Sequence, residues 1–439
     1  MNRRQTLAAL LGATTAPLAM SQTPIQPDAF PHVPWSHQTN IYEVNVRQFT
    51  PEGTLTAFEA HLPRLQQLGV SLLWFMPIQP IGKKERKGGL GSYYAIQDYT
   101  AVNPEFGTLQ DFRRIVAKAH ALGMKVILDW VANHTAWDHP WVQTHKERYK
   151  LNETGEVFSV TFNAGTPQVE YWTDVVGLNY QDPGLWMAMT DAMAFWLKEA
   201  DIDGFRCDVA SLVPTPFWEQ ARAKLDRIKP VFMLAESDKV DLHAKAFDMT
   251  YDWDLFDQLR AIAKGKADAS ALKAWWARRE AKYPSDAYRM NFTANHDSNS
   301  WHGSCKEFYG SQACFKAMAV LAAMLPGVPL IYGGQETFFD KRLAFFEKDP
   351  IQWRDYPLAG LYAELLALKA RHAALANGTY GGTLVWLDTG DAAVVGFRRQ
   401  CGASQVDVHV HLGTGRREAK TAGGGSLTLP SWGWTIHTV

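Results

Sequence analysis

A closed parallel (β/α)8 barrel, or TIM barrel, with a small inserted domain after its third strand and a C-terminal antiparallel β-sandwich domain is the architecture the sequence predicts. Three observations predict it. Short apolar, β-branched or aromatic runs alternate with longer amphipathic stretches through the middle of the chain, the pattern of βα units and a parallel sheet. Eight such runs can be counted, and closing eight strands into a barrel leaves no sheet edge exposed. A chain of 439 residues is too long for one small domain and suits a large one with appendages.

The eight expected strands are Ile41 to Val46, Ser71 to Met76, Lys125 to Trp130, Gly204 to Val209, Val231 to Glu236, Ala246 to Tyr251, Arg289 to Ala294 and Pro329 to Gly333. Helices fit between them. Over Leu109 to Leu122 the apolar residues Leu109, Phe112, Ile115, Val116 and Ala119 recur at helical spacing, and Gly123 supplies the stop. Met187 to Ala200 and Ala317 to Met324 read the same way. Residues 135–182 interrupt the rhythm with aromatics and turn formers (Trp137, Trp141, Tyr149, Phe158, Trp172), too long a segment for a βα loop and expected to rise over the barrel mouth. After about residue 375 the pattern becomes short alternating strands, at Ala392 to Phe397, Val406 to His411 and Trp432 to His437, with Gly423-Gly424-Gly425 as a loop. The expected organisation is a signal peptide (1–21), a first barrel part (22–134), the insert (135–182), a second barrel part (183–374) and the terminal β domain (375–439).

The first segment reads as an export signal. Arg3-Arg4 precede a modestly apolar stretch from Leu7 to Met20, and Ala19-Met20-Ser21 offers a cleavage site, so a periplasmic or secreted protein is expected. The paired arginines fit a twin-arginine signal loosely, with a Sec signal as the alternative. No later run approaches the roughly 20 apolar residues of a membrane span. The net charge of −1 provides no basic field for nucleic acid or anionic lipid. In an oxidising compartment Cys305 and Cys314 could bridge, whereas Cys207 reads as a packed thiol and Cys401 has no evident partner. No Cys/His spacing resembles a zinc site. The 17 Trp and 15 Tyr supply flat faces with polar edges, most of them for packing, some suited to sugar rings.

Asp208, Glu236 and Asp297 each end a short apolar run: Gly204-Phe205-Arg206-Cys207-Asp208, Val231-Phe232-Met233-Leu234-Ala235-Glu236 and Phe292-Thr293-Ala294-Asn295-His296-Asp297. A charge leaving a buried strand is costly if it points inward and well placed for chemistry at the strand's carboxyl end. Taken singly, each could be a cap or a salt-bridge partner; three on the same barrel mouth fit glycoside cleavage, which needs one ionised and one protonated carboxyl group. Arg206, two residues before Asp208, falls on the same strand face and is expected to keep that aspartate ionised and nucleophilic. Glu236 has no neighbouring cation in sequence, which favours the protonated acid.

The motifs around these acids are similar to the α-amylase family, glycoside hydrolase family 13, over most of the chain. Asp129-Trp130-Val131-Ala132-Asn133-His134 resembles that family's first conserved region, Gly204 to Asp208 the second, Ala235-Glu236 the third and Asn295-His296-Asp297 the fourth. Gly327 to Glu336 resembles the region on the eighth strand. The resemblance implies Asp208 as nucleophile, Glu236 as general acid/base and Asp297 as transition-state stabiliser. It implies that Arg206, His134 and His296 bind the sugar at the cleavage subsite, with Tyr94, four residues before Asp98, as the stacking tyrosine. Asp129 is expected to orient Arg206, and Glu336 to belong to a structural network.

Two departures stand out. Family members that cut inside long chains commonly carry Lys-His soon after the nucleophile, where this chain has Val209-Ala210-Ser211. Val176-Gly177-Leu178-Asn179 lacks the aspartate that often helps hold calcium, and the loop Phe49 to Thr54 has no alternating aspartates; calcium is therefore not expected to be required, although Asn133 keeps it open. The expected substrate is an α-1,4-glucan or maltooligosaccharide and the expected reaction retaining hydrolysis. A transglycosylase or sugar isomerase on the same scaffold is the close rival, and a non-catalytic carbohydrate-binding protein the remote one.

Overall fold

A computed structural model describes residues 30–439, so the expected signal segment lies outside the described residues. The first three strands are β1 (Ile41–Val44), β2 (Leu72–Phe75) and β3 (Lys125–Trp130). An inserted sheet follows, made of β4 (His134–Ala136), β5 (Ser159–Phe162) and β6 (Glu170–Gly177). The barrel resumes with β7 (Gly204–Cys207), β8 (Phe232–Ala235), β9 (Met249–Tyr251), β10 (Tyr288–Phe292) and β11 (Val328–Tyr332). β1, β2, β3, β7, β8, β9, β10 and β11 close on one another in that order, all parallel. Every expected barrel strand is present.

Several strands end sooner than their sequence runs suggest. β7 stops at Cys207 and β8 at Ala235, one residue before each acid. The acids still hang on the sheet, because the Asp208 amide donates to the Trp130 carbonyl and the Glu236 amide to that of Cys207, both at 2.9 Å. An apolar run marks where a strand is buried; the acid at its end marks where the backbone turns toward the mouth.

The helix Leu109–Ala121 shows how the outer layer forms. Thr108 and Asp111 make a reciprocal capping box at its start, Gly123 takes a left-handed conformation just past its end, and Phe112, Ile115, Val116 and Ala119 turn inward. Helices Pro183–Ala200 and Gln312–Met324 begin earlier than their hydrophobic patterns, since Asp182 and Ser311 cap them through side-chain oxygens. The inserted sheet has the order β4-β6-β5, so His134 itself opens it.

The C-terminal part contains β12 (Thr383–Leu387), β13 (Val394–Cys401), β14 (Ser404–His411), β15 (Arg417–Lys420), β16 (Ser426–Leu429) and β17 (Trp434–Thr438). β12-β13-β14-β17 form an antiparallel sheet and β15-β16 a hairpin, with Ala419 and Leu429 of the hairpin packed against Val394. Along β14 Val406, Val408 and Val410 are fully buried. Among the described residues no helix is long and apolar enough to cross a membrane.

The Cys305–Cys314 bridge that an oxidising compartment would allow is absent: all four cysteines are free. Cys305 opens the helix Cys305–Tyr309 and Cys314 lies inside the next one, both buried, and burial pushes each thiol up to about 12. Cys207 is fully buried, as a packed thiol should be.

Candidate active site

Arg206 is the centre of the site. It stands opposite Asp129 across the β3–β7 pair and is wholly buried. Its Nη1 donates to Asp129 Oδ1 at 2.9 Å and to Asp208 Oδ1 at 3.2 Å, and its Nε to the Tyr251 hydroxyl at 3.1 Å. Its Nη2 lies 3.0 Å from Glu236 Oε2, at ion-pair distance without a well-aligned hydrogen bond. Trp74 lies against the guanidinium, 5.0 Å from its ring centre, and donates through Nε1 to Asp129 Oδ2 at 3.1 Å. Asp129 therefore orients Arg206, as expected, although burial lifts its carboxyl to about 6 against the pull of Arg206 and His296.

Asp208 and Glu236 meet on this one cation. Glu236 Oε2 also accepts the Val209 amide at 2.8 Å. Val209, at φ +35°, sits in the left-handed region, strained for a β-branched residue, and that turn aims the amide at Glu236. Asp208 is pushed well up, first by burial and then by the charge of Glu236, with Arg206 opposing. The expectation that Glu236 stands apart from a cation is corrected here. The cation serves both acids, because β7 and β8 are neighbours and their strand ends share Arg206.

Asp297 lies five residues beyond β10. Asn295 and Ser298 exchange amide-to-side-chain hydrogen bonds at 2.8 Å, which fixes the turn carrying His296 and Asp297. His296 is buried, with Nδ1 on Glu43 Oε1 at 2.5 Å and Nε2 within 2.8 Å of the Tyr94 hydroxyl and 3.2 Å of Asp297 Oδ2. Burial opposes its charge, but Asp297 and Glu43 outweigh burial and raise it to about 9. A doubly protonated ring donates to Tyr94, whose hydroxyl donates onward to Asp129 Oδ2 at 3.1 Å. Side-chain exposure rises from 10% at Asp208 through 15% at Glu236 to 38% at Asp297, so the acids run from floor to lip.

His134 is less central. Its Nδ1 lies 3.1 Å from the Asn133 amide nitrogen and its ring meets Trp172 edge-on at 5.6 Å. Burial lowers it to about 4, with a hydrogen bond to the Tyr94 backbone opposing, which leaves a neutral ring joined to the site through Tyr94. The structure thus joins Tyr94, Arg206, Asp208, Glu236, His296 and Asp297 directly, and His134 at one remove. Glu43, Trp74 and Tyr251 were not singled out from the sequence. Only Glu43 carried a signal, a charge inside an apolar strand run. Glu336 accepts from Tyr42 at 2.8 Å and Arg64 at 2.7 Å, a structural network as expected. Among the described residues no group of three or more His, Cys, Asp and Glu side chains is placed to hold a metal ion.

Together these features define a (β/α)8-barrel protein with a three-carboxylate cleft at the carboxyl ends of its strands. The profile of the alpha-amylase catalytic domain matches residues 25–356, and the chain belongs to the α-amylase family. It is 30% identical over 356 residues to the α-amylase MalA of Haloarcula japonica, covering 77% of this chain and 49% of that one. It is 31% identical over 345 residues to an α-1,4-glucan:maltose-1-phosphate maltosyltransferase of Rhodospirillum rubrum, covering 72% and 47%. The chain thus spans about half the length of these relatives. The crystal structure of an α-amylase from Lactobacillus plantarum superposes with a TM-score of 0.80 at 28% identity, covering 92% of this chain and 99% of that one.

Proposed function

We propose that the chain is a retaining glycoside hydrolase that cleaves α-1,4-glucosidic bonds of starch-derived glucans or maltooligosaccharides through a covalent glycosyl-enzyme intermediate. The observation that carries this reading is the meeting of Asp208 and Glu236 on the guanidinium of Arg206. Two carboxyl groups held on one buried cation hold one proton more readily than they hold two full charges. With that proton on Glu236, the main charge opposing ionisation of Asp208 is gone, and Asp208 beside Arg206 becomes the nucleophile. Glu236 then donates to the glycosidic oxygen and, as a carboxylate, draws the proton from the incoming water. Asp297 at the lip, beside the charged His296, stabilises the positive charge that develops on the sugar ring, while Tyr94 supplies a flat face beneath it.

Changing Asp208 to Asn or Glu236 to Gln is expected to lower turnover of maltoheptaose by about 10²- to 10⁴-fold, with far-ultraviolet circular dichroism unchanged. Turnover at the unaltered rate in either variant would refute the reading. Glycosyl transfer is the second reading, favoured by the similarity to a maltosyltransferase. Chromatography of products from maltose, maltoheptaose and starch separates the two, since transfer yields products longer than the substrate. We also propose export from the cytoplasm, supported by Arg3-Arg4 and the apolar stretch that follows; the amino terminus of protein recovered outside the cytoplasm would begin near Gln22.

A further inference from the structure

A row of aromatic rings leads out of the cleft. Phe345 lies nearly parallel to Tyr94, with centroids 6.3 Å apart and planes inclined by 10°. Trp301 packs on Phe345 at 5.3 Å, and Phe346 supports both rings, at 5.8 Å from Trp301 and 5.1 Å from Phe345. Trp301 stands four residues after Asp297 and is still 50% exposed, although this bed covers its inner side. A large indole left half in water beside a catalytic turn is an open apolar face.

The platform is rigidly built. Ser298–His302 forms one turn of π-helix, a rare and weakly stable geometry that occurs chiefly where a side chain must be re-aimed at a functional site. Asn299 clamps that turn to the facing loop, donating to the Lys341 carbonyl at 3.1 Å and accepting the Leu343 amide at 3.0 Å. The Phe346 carbonyl accepts the Leu90 amide at 3.0 Å. Gly88, at φ +66°, lets the two loops close: a Cβ there would lie 2.4 Å from Phe346 Cβ.

Arg206 gives the row a direction. Its Nη2 faces Glu236, whereas its Nη1 faces Tyr94 and Asp129. The leaving group departs on the side of the acid, so a row that starts at Tyr94 follows the part of the glucan that stays on the enzyme. We propose that Trp301 is the stacking platform for a second glucosyl unit on that retained side, and that it makes the site prefer substrates with at least two such units. The inference rests on the glucan-cleaving reading above. A pyranose presents a face of C–H bonds that fits an indole, and binding energy gained there serves the reacting unit next to it.

The test compares Trp301→Ala and Trp301→Phe with the unaltered protein on 4-nitrophenyl α-glucoside and 4-nitrophenyl α-maltoside. The maltoside-to-glucoside ratio of kcat/KM is expected to fall about tenfold in Trp301→Ala and to recover largely in Trp301→Phe. Equal losses on both substrates, or an unchanged ratio, overturn the platform. Calorimetry with maltotriose on the Asp208→Asn protein, with and without Trp301→Ala, reads the same contact without turnover. There a Kd raised about tenfold supports the platform and an unchanged Kd overturns it. Failure of the unaltered protein to cleave either glycoside or maltoheptaose counts against the glucan-cleaving reading alone, because the calorimetry still judges Trp301.

Discussion

Arg206 and Asp129 form an ion pair at 2.9 Å in which neither side chain meets solvent. Asp129 also accepts from Trp74 and Tyr94, so one carboxylate sets the position of the arginine on which the two reacting acids depend. Changing Asp129 to Asn leaves the guanidinium charged and short of its closest partner. Removing one member of a buried pair typically costs about 3–5 kcal/mol. The variant is expected to lose stability on that scale in urea titrations and at least about 10²-fold in kcat, as a misplaced Arg206 loosens both acids. Unchanged turnover would show that Asp129 does not position Arg206.

That pair was legible before the fold was known, because the residues fall in motifs at the ends of two strand runs. The barrel was legible for a related reason: a strand buried on both faces leaves a continuous apolar run, and eight of them leave few alternatives. What escaped were relationships made only by closure. Glu43 on β1 and His296 beyond β10 are 253 positions apart, and nothing local to either announces the other. The expectation that Glu236 stands apart from any cation failed for the same reason. Distance along the chain from Arg206 said that Glu236 was free of it, whereas β7 and β8 lie side by side and the guanidinium reaches both. The disulfide that Cys305 and Cys314 could have formed is absent because nearness in sequence does not bring two buried thiols on successive helices together.

The Glu43–His296 contact makes a pH prediction. His296 in the folded protein is held at about 9, above an ordinary value of 6.5, once the pull of Asp297 and Glu43 has overcome burial. A histidine raised on folding stabilises fully below its unfolded pKa, and that contribution drains away as pH rises through the folded one. The stabilisation, about 3 kcal/mol, is therefore expected in full below about pH 6.5 and gone above about pH 9. Urea titrations between pH 6 and 10 should show it for the unaltered protein. Glu43→Gln should move the loss to lower pH, and identical profiles for the two proteins would remove His296 as its source.

Reductant should matter little. Four free cysteines leave no bridge to cut, and burial raises the thiols of three of them, Cys207, Cys305 and Cys314. The thermal midpoint is expected to be the same with and without dithiothreitol, and four thiols should titrate after denaturation. A drop of several degrees on reduction, with only two thiols titrating before it, would restore the Cys305–Cys314 bridge.

Gly204 opens β7 at φ +151°, and a Cβ there would stand 1.9 Å from the Phe232 carbonyl oxygen on β8. That strand brings Arg206 and then Asp208 to the mouth, so the close approach of β7 to β8 is part of how the two acids come to share one cation. Gly204→Ala meets both a steric clash with backbone and a conformation disfavoured for an L residue, which together cost about 2–6 kcal/mol. Gly265 separates these causes. It too has positive φ, at +66°, but nothing lies within 4 Å of the position a Cβ would take. Gly265→Ala is therefore expected to cost only about 1 kcal/mol, from backbone strain alone. Urea midpoints of the two variants should differ clearly, and turnover should fall only in Gly204→Ala. Matching midpoints would mean that the β7–β8 contact yields easily, and that Arg206 owes its place to the side chains around it rather than to the backbone beneath.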